Sequence, residues 1–141
     1  MNFTPTALSL LIALPLFSQK QANNWYFGEQ AGLTFERNSP IPLQDGNMIT
    51  LGAAAVVSDK ATGELLFYSN GEQAWNRNHQ VMPNGYDLKG NNESTNTSYA
   101  VPMPGSEGKY YLFTLESADY QTQRGATVYY SIVDINLSAG L

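Results

Sequence analysis

The chain has 141 residues, enough for one domain with its own core and too few for two ordinary domains. Lys and Arg number 7 against 12 Asp and Glu, a formal net charge of −5, and the basic residues are scattered singly, which argues against nucleic-acid binding. Cysteine is absent and His79 is the single histidine, which excludes disulfides, thiolate metal sites and zinc sites built on several imidazoles within this chain.

The first predicted element is a secretory signal peptide over residues 1–19. Its apolar stretch, residues 7–17, is shorter than the roughly 20 residues that cross a bilayer. Pro15 stands just before a predicted cleavage zone at Ser18 and Gln19. No Lys or Arg precedes the apolar stretch, unlike an ordinary signal, and the alternative is a buried N-terminal helix. A signal peptide predicts a secreted or cell-surface protein exported by a Sec-type route.

After the signal, the apolar residues fall in short interrupted runs, the spacing of strands. Strands are predicted at residues 25–28, 33–35, 51–58, 64–69, 72–75, 99–102, 109–114 and 127–135. The run at 51–58 contains small side chains that suit a crowded inner strand. Asp59 and Gly63 bound a turn, and Asn70-Gly71 predicts a two-residue hairpin. Residues 84–98 are too polar to bury and predict a long surface loop.

Two parts of the meander repeat at a spacing of 45 residues, the distance from Gly63 to Gly108 (108 − 63). This spacing lies within the roughly 40–50 residues of a propeller blade. The sequence therefore predicts an all-β fold, a partial β-propeller of about two to three blades, with a β-sandwich as the alternative. Known propellers close with about 4 to 8 blades, so the domain at residues 20–141 is predicted to be truncated at its C-terminus.

Several segments together resemble the N-terminal region of large secreted surface proteins of Bacteroidetes, of the gliding-motility-associated or PKD-domain-containing type. The segments are residues 23–28, 31–33, 63–71, 75–85 (WNRNHQVMPNG, the most specific) and 129–136. The resemblance implies a propeller-like region followed by Ig-like repeats, and display at the cell surface or release. It carries over no catalytic residue.

The sharpest candidate site is the segment that contains Trp75, Arg77 and His79. An aromatic face beside polar neighbours suits a sugar or a peptide, so these three residues are ligand-binding candidates. The simpler interpretation, which we favour, is that Trp75 fills the core and His79 satisfies backbone groups at a turn. No paired carboxylates, nucleophile elbow, phosphate-binding loop or calcium loop stands out. We expect no catalytic residue, cofactor or metal.

Two functional hypotheses follow from these patterns. The first is a non-catalytic binding or structural module of an extracellular protein, in adhesion or gliding motility, with an unknown protein or glycan as its ligand. Its other partners would be the remaining blades or Ig-like repeats of a longer protein. The alternative is the first blades of a secreted propeller enzyme that acts on glycans.

The signal-peptide hypothesis predicts cleavage near Ser18 or Gln19 on export. Intact-mass measurement of the exported protein checks this, because cleavage there removes the whole apolar stretch. An exported species that retains residues 7–17 would contradict it.

Overall fold

The computed structural model describes residues 20–37, 39–93, 98–116 and 127–137, and the predicted signal peptide at residues 1–19 lies outside these ranges. The described residues form nine strands and no helix, and none of them could cross a membrane as a helix. The all-β class predicted from the sequence is confirmed.

The strands form three antiparallel sheets, each with three strands in chain order. Sheet 1 comprises β1 (Asn24–Phe27), β2 (Ala31–Thr34) and β3 (Ile41–Leu43). Sheet 2 comprises β4 (Ala55–Ser58), β5 (Leu65–Ser69) and β6 (Ala74–Asn76). Sheet 3 comprises β7 (Ser98–Pro102), β8 (Lys109–Leu115) and β9 (Val128–Asp134). Every sheet is a meander.

Sheet 2 lies between the other two sheets and is apolar on both faces. Successive side chains of a strand point to opposite faces, so Phe67 and Tyr68 of β5 face different neighbours. Tyr68 packs with Trp75, Tyr26 and Met48 toward sheet 1. Phe67 packs toward sheet 3, in a cluster that contains Ala55, Ala74, Leu112 and Val133. Because both of its faces are covered, β5 reads as a continuous apolar run.

Buried polar side chains join the first strands of successive sheets. The Asn24 side-chain amide in β1 donates to Ser58 Oγ at 3.1 Å and to the Gly63 carbonyl at 2.8 Å. The Ser98 hydroxyl in β7 accepts from Ala55 N at 3.1 Å and donates to the Ser69 carbonyl at 2.9 Å. These bonds satisfy buried polar groups. The strand β4 therefore lies between β1 and β7 and contacts both.

One predicted strand is shorter than its sequence pattern indicates. Residues 51–54 precede β4 as irregular structure, although the apolar run begins at Leu51. The backbone N–H groups of Leu51 and Gly52 both donate to the carbonyl of Asn92, at 3.0 Å each. The polar loop after residue 84 thus takes the hydrogen bonds that a strand neighbour would take, and Leu51 is 79% exposed.

The turn between β5 and β6 differs from the predicted two-residue hairpin. The connection has four residues, 70–73, and β6 begins at Ala74 instead of residue 72. The Asn70 side-chain oxygen accepts from the backbone N–H groups of Glu72 and Gln73, so an Asx-type cap replaces the short turn. The predicted turn at Asp59 is confirmed, because its carboxylate accepts from the N–H groups of Ala61 and Thr62.

The burial of Trp75 predicts a large cost of truncation. Trp75 is 4% exposed between sheets 1 and 2, so Trp75→Ala is expected to lower the free energy of unfolding by about 3–5 kcal/mol. The control is Tyr86→Ala, which truncates an aromatic side chain that is 56% exposed and should cost about half as much or less. Denaturant melts of both variants measure the difference. Equal costs would contradict the observed packing.

Candidate functional site

The turn after β6 positions two of the predicted site residues. Asn76 organises it, because its side-chain oxygen accepts from the N–H groups of Asn78 and Gln80 and its carbonyl accepts from His79 N. His79 has a φ of 60°, in the left-handed region that non-glycine residues rarely occupy. Arg77 lies exposed at the outside of the turn. The geometry of this turn therefore directs both side chains.

The side chain of Trp75 points away from those of Arg77 and His79. It precedes the turn on β6 and points into the core, where its ring stacks on Tyr68 with 5.4 Å between the ring centroids. The structure therefore places Trp75 in the core, as the simpler interpretation predicts, and not in the wall of an open cleft.

The ring of His79 belongs to a cluster of aromatic and acidic side chains. Its Nδ1 lies 3.1 Å from the Tyr68 hydroxyl, and its Nε2 lies 3.4 Å from a carboxylate oxygen of Asp45. The Tyr26 hydroxyl donates to the other Asp45 oxygen at 3.0 Å. Asn47 donates its backbone N–H to Tyr68 at 3.1 Å and its side-chain amide to the His79 carbonyl at 2.7 Å. In its turn His79 donates its backbone N–H to the Asn76 carbonyl, whereas its ring contacts side chains.

The contacts of the His79 ring fit one tautomer. A ring with its hydrogen on Nε2 directs this hydrogen toward the Asp45 carboxylate and accepts the Tyr68 hydroxyl proton at Nδ1. The Tyr68 oxygen then accepts from the Asn47 N–H, so each polar atom of the ring and of this hydroxyl has a partner. Together these contacts hold the ring of His79 in one orientation.

Burial raises the pKa of both tyrosines in this cluster. For Tyr26 the largest cause is desolvation of the ring, followed by the hydrogen bond to the Asp45 carboxylate, and its pKa lies well above the ordinary value. For Tyr68 desolvation also raises the pKa, while the hydrogen bond from Asn47 N opposes the shift. Both hydroxyls therefore stay protonated at neutral pH and serve as hydrogen-bond donors.

Three members of this cluster, Tyr26, Asp45 and His79, line a polar cleft of about 370 Å³ between sheets 1 and 2. Its polar lining side chains are Asn24, Thr34, Glu36, Asp45, Glu64, Arg77, Asn78 and His79. Thr34 is buried and its hydroxyl has no hydrogen-bond partner. Among the described residues, one other buried side-chain atom also lacks a partner. The part of the chain that the structure describes contains no group of three or more His, Asp or Glu side chains placed to hold a metal ion.

Sequence reasoning found two of these lining residues and missed the rest. Arg77 and His79 were visible because they lie in one short polar segment. Asp45 appears in the sequence only as part of a turn, and Glu64 only as a strand residue. Their proximity to His79 arises from the packing of sheet 1 on sheet 2, and no local spacing reports that contact.

No family model, curated protein or solved structure matches this chain. The described residues form an all-β protein with three three-stranded meanders and a polar cleft between the first two.

The buried tyrosines predict a loss of stability at alkaline pH. Their pKa is raised in the folded state, so stability is complete below the unfolded value of about 10 and falls as the pH rises above it. Tyr26→Phe removes one of these groups and should make the fall shallower. Urea unfolding between about pH 8 and pH 11 measures the slope.

The control for this experiment is Tyr86→Phe, which removes an exposed tyrosine outside the cluster. This variant should follow the wild-type dependence on pH. If Tyr26→Phe also followed it, the shifted titration would have been assigned to the wrong group.

Proposed function

We propose that this chain is a non-catalytic binding module of a secreted or cell-surface protein, built as part of a β-propeller, and that its ligand binds in the polar cleft between sheets 1 and 2. The observation that carries the proposal is the cleft itself, where side chains from two sheets converge around the fixed ring of His79. Export rests on the predicted signal peptide, and the surface-protein context rests on the resemblance of the sequence.

The stacking of the sheets supports the propeller. Three meanders follow one another in chain order, pack face to face, and bring their first strands into contact through β4. Propeller blades follow one another in this way around a central channel, although each blade has four strands and these sheets have three. A sandwich of two sheets provides no place for a third sheet in the same series.

The chemistry of the cleft supports a small polar ligand, either a glycan or a polar peptide segment. Arg77 offers a forked donor, and Glu36 and Glu64 offer exposed acceptors. Hydroxyl-rich molecules use such mixed donors and acceptors. The unpaired Thr34 hydroxyl is a buried polar group that a ligand reaching the cleft wall would satisfy.

A second candidate function, a glycan-cleaving enzyme, is favoured by one observation. Glu36, Asp45 and Glu64 line the same cleft, and glycosidases use two carboxylates on either side of the scissile bond. Asp45 is engaged by Tyr26 and His79, which is the arrangement of a positioning group. For this reason the binding function is preferred.

The binding function predicts that Arg77 is needed for affinity. Wild-type protein would be screened against soluble glycans and peptides, and the strongest binder titrated against Arg77→Ala. Loss of a hydrogen bond from a charged group costs about 1.5–3 kcal/mol, so affinity should fall about tenfold or more. Thermal melts should be unchanged, because Arg77 is exposed.

The matched control is Arg37→Ala, which removes an exposed arginine that does not line the cleft and should leave affinity at the wild-type value. Equal losses in both variants would point to nonspecific charge attraction and would refute a site in the cleft. The same glycans are assayed for cleavage: turnover by the wild type that Glu64→Gln or Glu36→Gln abolishes would replace the binding function with the enzyme.

A further inference from the structure

The face of sheet 3 that points away from sheet 2 is apolar and exposed. Register places its side chains in two cross-strand rows. The rows are Phe113 and Tyr130, and Val101, Tyr111 and Ile132. Tyr130 is 65% exposed. Three of the rings already contact one another, with centroids 5.9 to 6.4 Å apart. We call these five residues the sheet 3 outer face.

A β-bulge in sheet 2 determines which of its positions are equivalent to the positions of sheet 3. Gly63 and Gly108 both have positive φ before the second strand of their sheets. Beyond Gly63, the register of β5 shifts so that Leu66 is an extra residue, and β8 has no such shift. The 45-residue spacing therefore becomes 44 beyond the bulge. Phe67 then corresponds to Tyr111, and Tyr68 to Leu112.

This correspondence agrees with the direction of each side chain. Tyr68 faces the preceding sheet, and so does Leu112. Phe67 faces the following sheet, where it meets Tyr110 with 5.3 Å between ring centroids. Its equivalent, Tyr111, lies on the sheet 3 outer face. The positions of sheet 2 that a following sheet covers are thus the positions that sheet 3 exposes.

At the opposite end of the stack, the outer face of sheet 1 is the kind of face that a preceding sheet would cover. In β1, Tyr26 points toward sheet 2, so Trp25 and Phe27 point away from it. Leu33 pairs with Trp25, and Phe35 packs on the Trp25 ring at 5.0 Å. We call these four residues the sheet 1 outer face. It corresponds to the faces of sheets 2 and 3 that a preceding sheet covers.

We propose that two copies of this chain associate head to tail, with the sheet 3 outer face of one copy packed on the sheet 1 outer face of the other. At both interfaces inside the chain, the face of one sheet that points toward the next sheet packs on the face of that next sheet that points back. The contact between copies repeats this arrangement. Contiguous exposed apolar patches mark interaction surfaces. The described residues of two copies supply six three-stranded sheets (3 + 3), a number within the range of about 4 to 8 blades that close a propeller. The two contacts in such a ring are related by a two-fold axis.

Blocked variants and their mixture test this arrangement. Sedimentation velocity of the wild type over a wide concentration range should show self-association. Tyr130→Lys blocks the sheet 3 outer face and Trp25→Lys blocks the sheet 1 outer face, so each variant alone should be monomeric. An equimolar mixture of the two retains one intact pair of faces, and should form a heterodimer that cannot grow further.

Tyr86→Lys is the matched control, because Tyr86 is an exposed tyrosine on neither outer face, and this variant should associate like the wild type. Circular dichroism confirms that each variant folds, and Ile132→Lys and Phe27→Lys replace a variant that does not. A monomeric wild type overturns the proposal. Association of either blocked variant by itself also overturns it, because the unblocked face would then be pairing with the same face of another copy. A mixture that stays monomeric overturns it as well. None of these results bears on ligand binding in the cleft.

Discussion

The stacked rings of Tyr26, Tyr68 and Trp75 hold sheet 1 against sheet 2, and the position of the cleft depends on them. Tyr26 and Tyr68 are nearly parallel, 17° apart with centroids at 4.9 Å, and Trp75 continues the stack at 11° to Tyr68. Each aromatic pair contributes about 0.5–1.5 kcal/mol beyond the burial of its area. Met48, 1% exposed, fills the remaining space of this cluster.

The same stack links the core to the polar cluster, because the rings of the two tyrosines are buried and their hydroxyl groups are polar. Their hydroxyls need partners, and Asp45 and His79 provide them at the edge of the sheets. His79 adopts a left-handed backbone conformation that costs of order 1–3 kcal/mol and persists only where the surroundings hold it. Here Asn47 binds its carbonyl. Such a strained residue beside an open polar cleft is typical of a binding site.

The three sheets also give the molecule a direction. Sheet 2 covers sheet 1 and is itself covered by sheet 3, so the two ends of the stack differ in kind. The ends are rich in aromatic side chains, as shown by Trp25 and Tyr130, while the internal contact between sheets 2 and 3 includes the small residues Ala55 and Ala74. Assembly and ligand binding would then use separate surfaces.

The sequence by itself determined the all-β class, the meanders and most strand positions, since these follow from local alternation and turn residues such as Asp59 and Gly63. It did not reveal β3, because Pro42 interrupts the residue pattern that marks a strand. Proline is tolerated in β3 because this strand lies at the edge of sheet 1. Only the tertiary structure decided that Asp45 meets His79 and that Leu66 is a bulge. Those outcomes depend on how one sheet packs on another and on register between strands, and neither leaves a local signal in the chain.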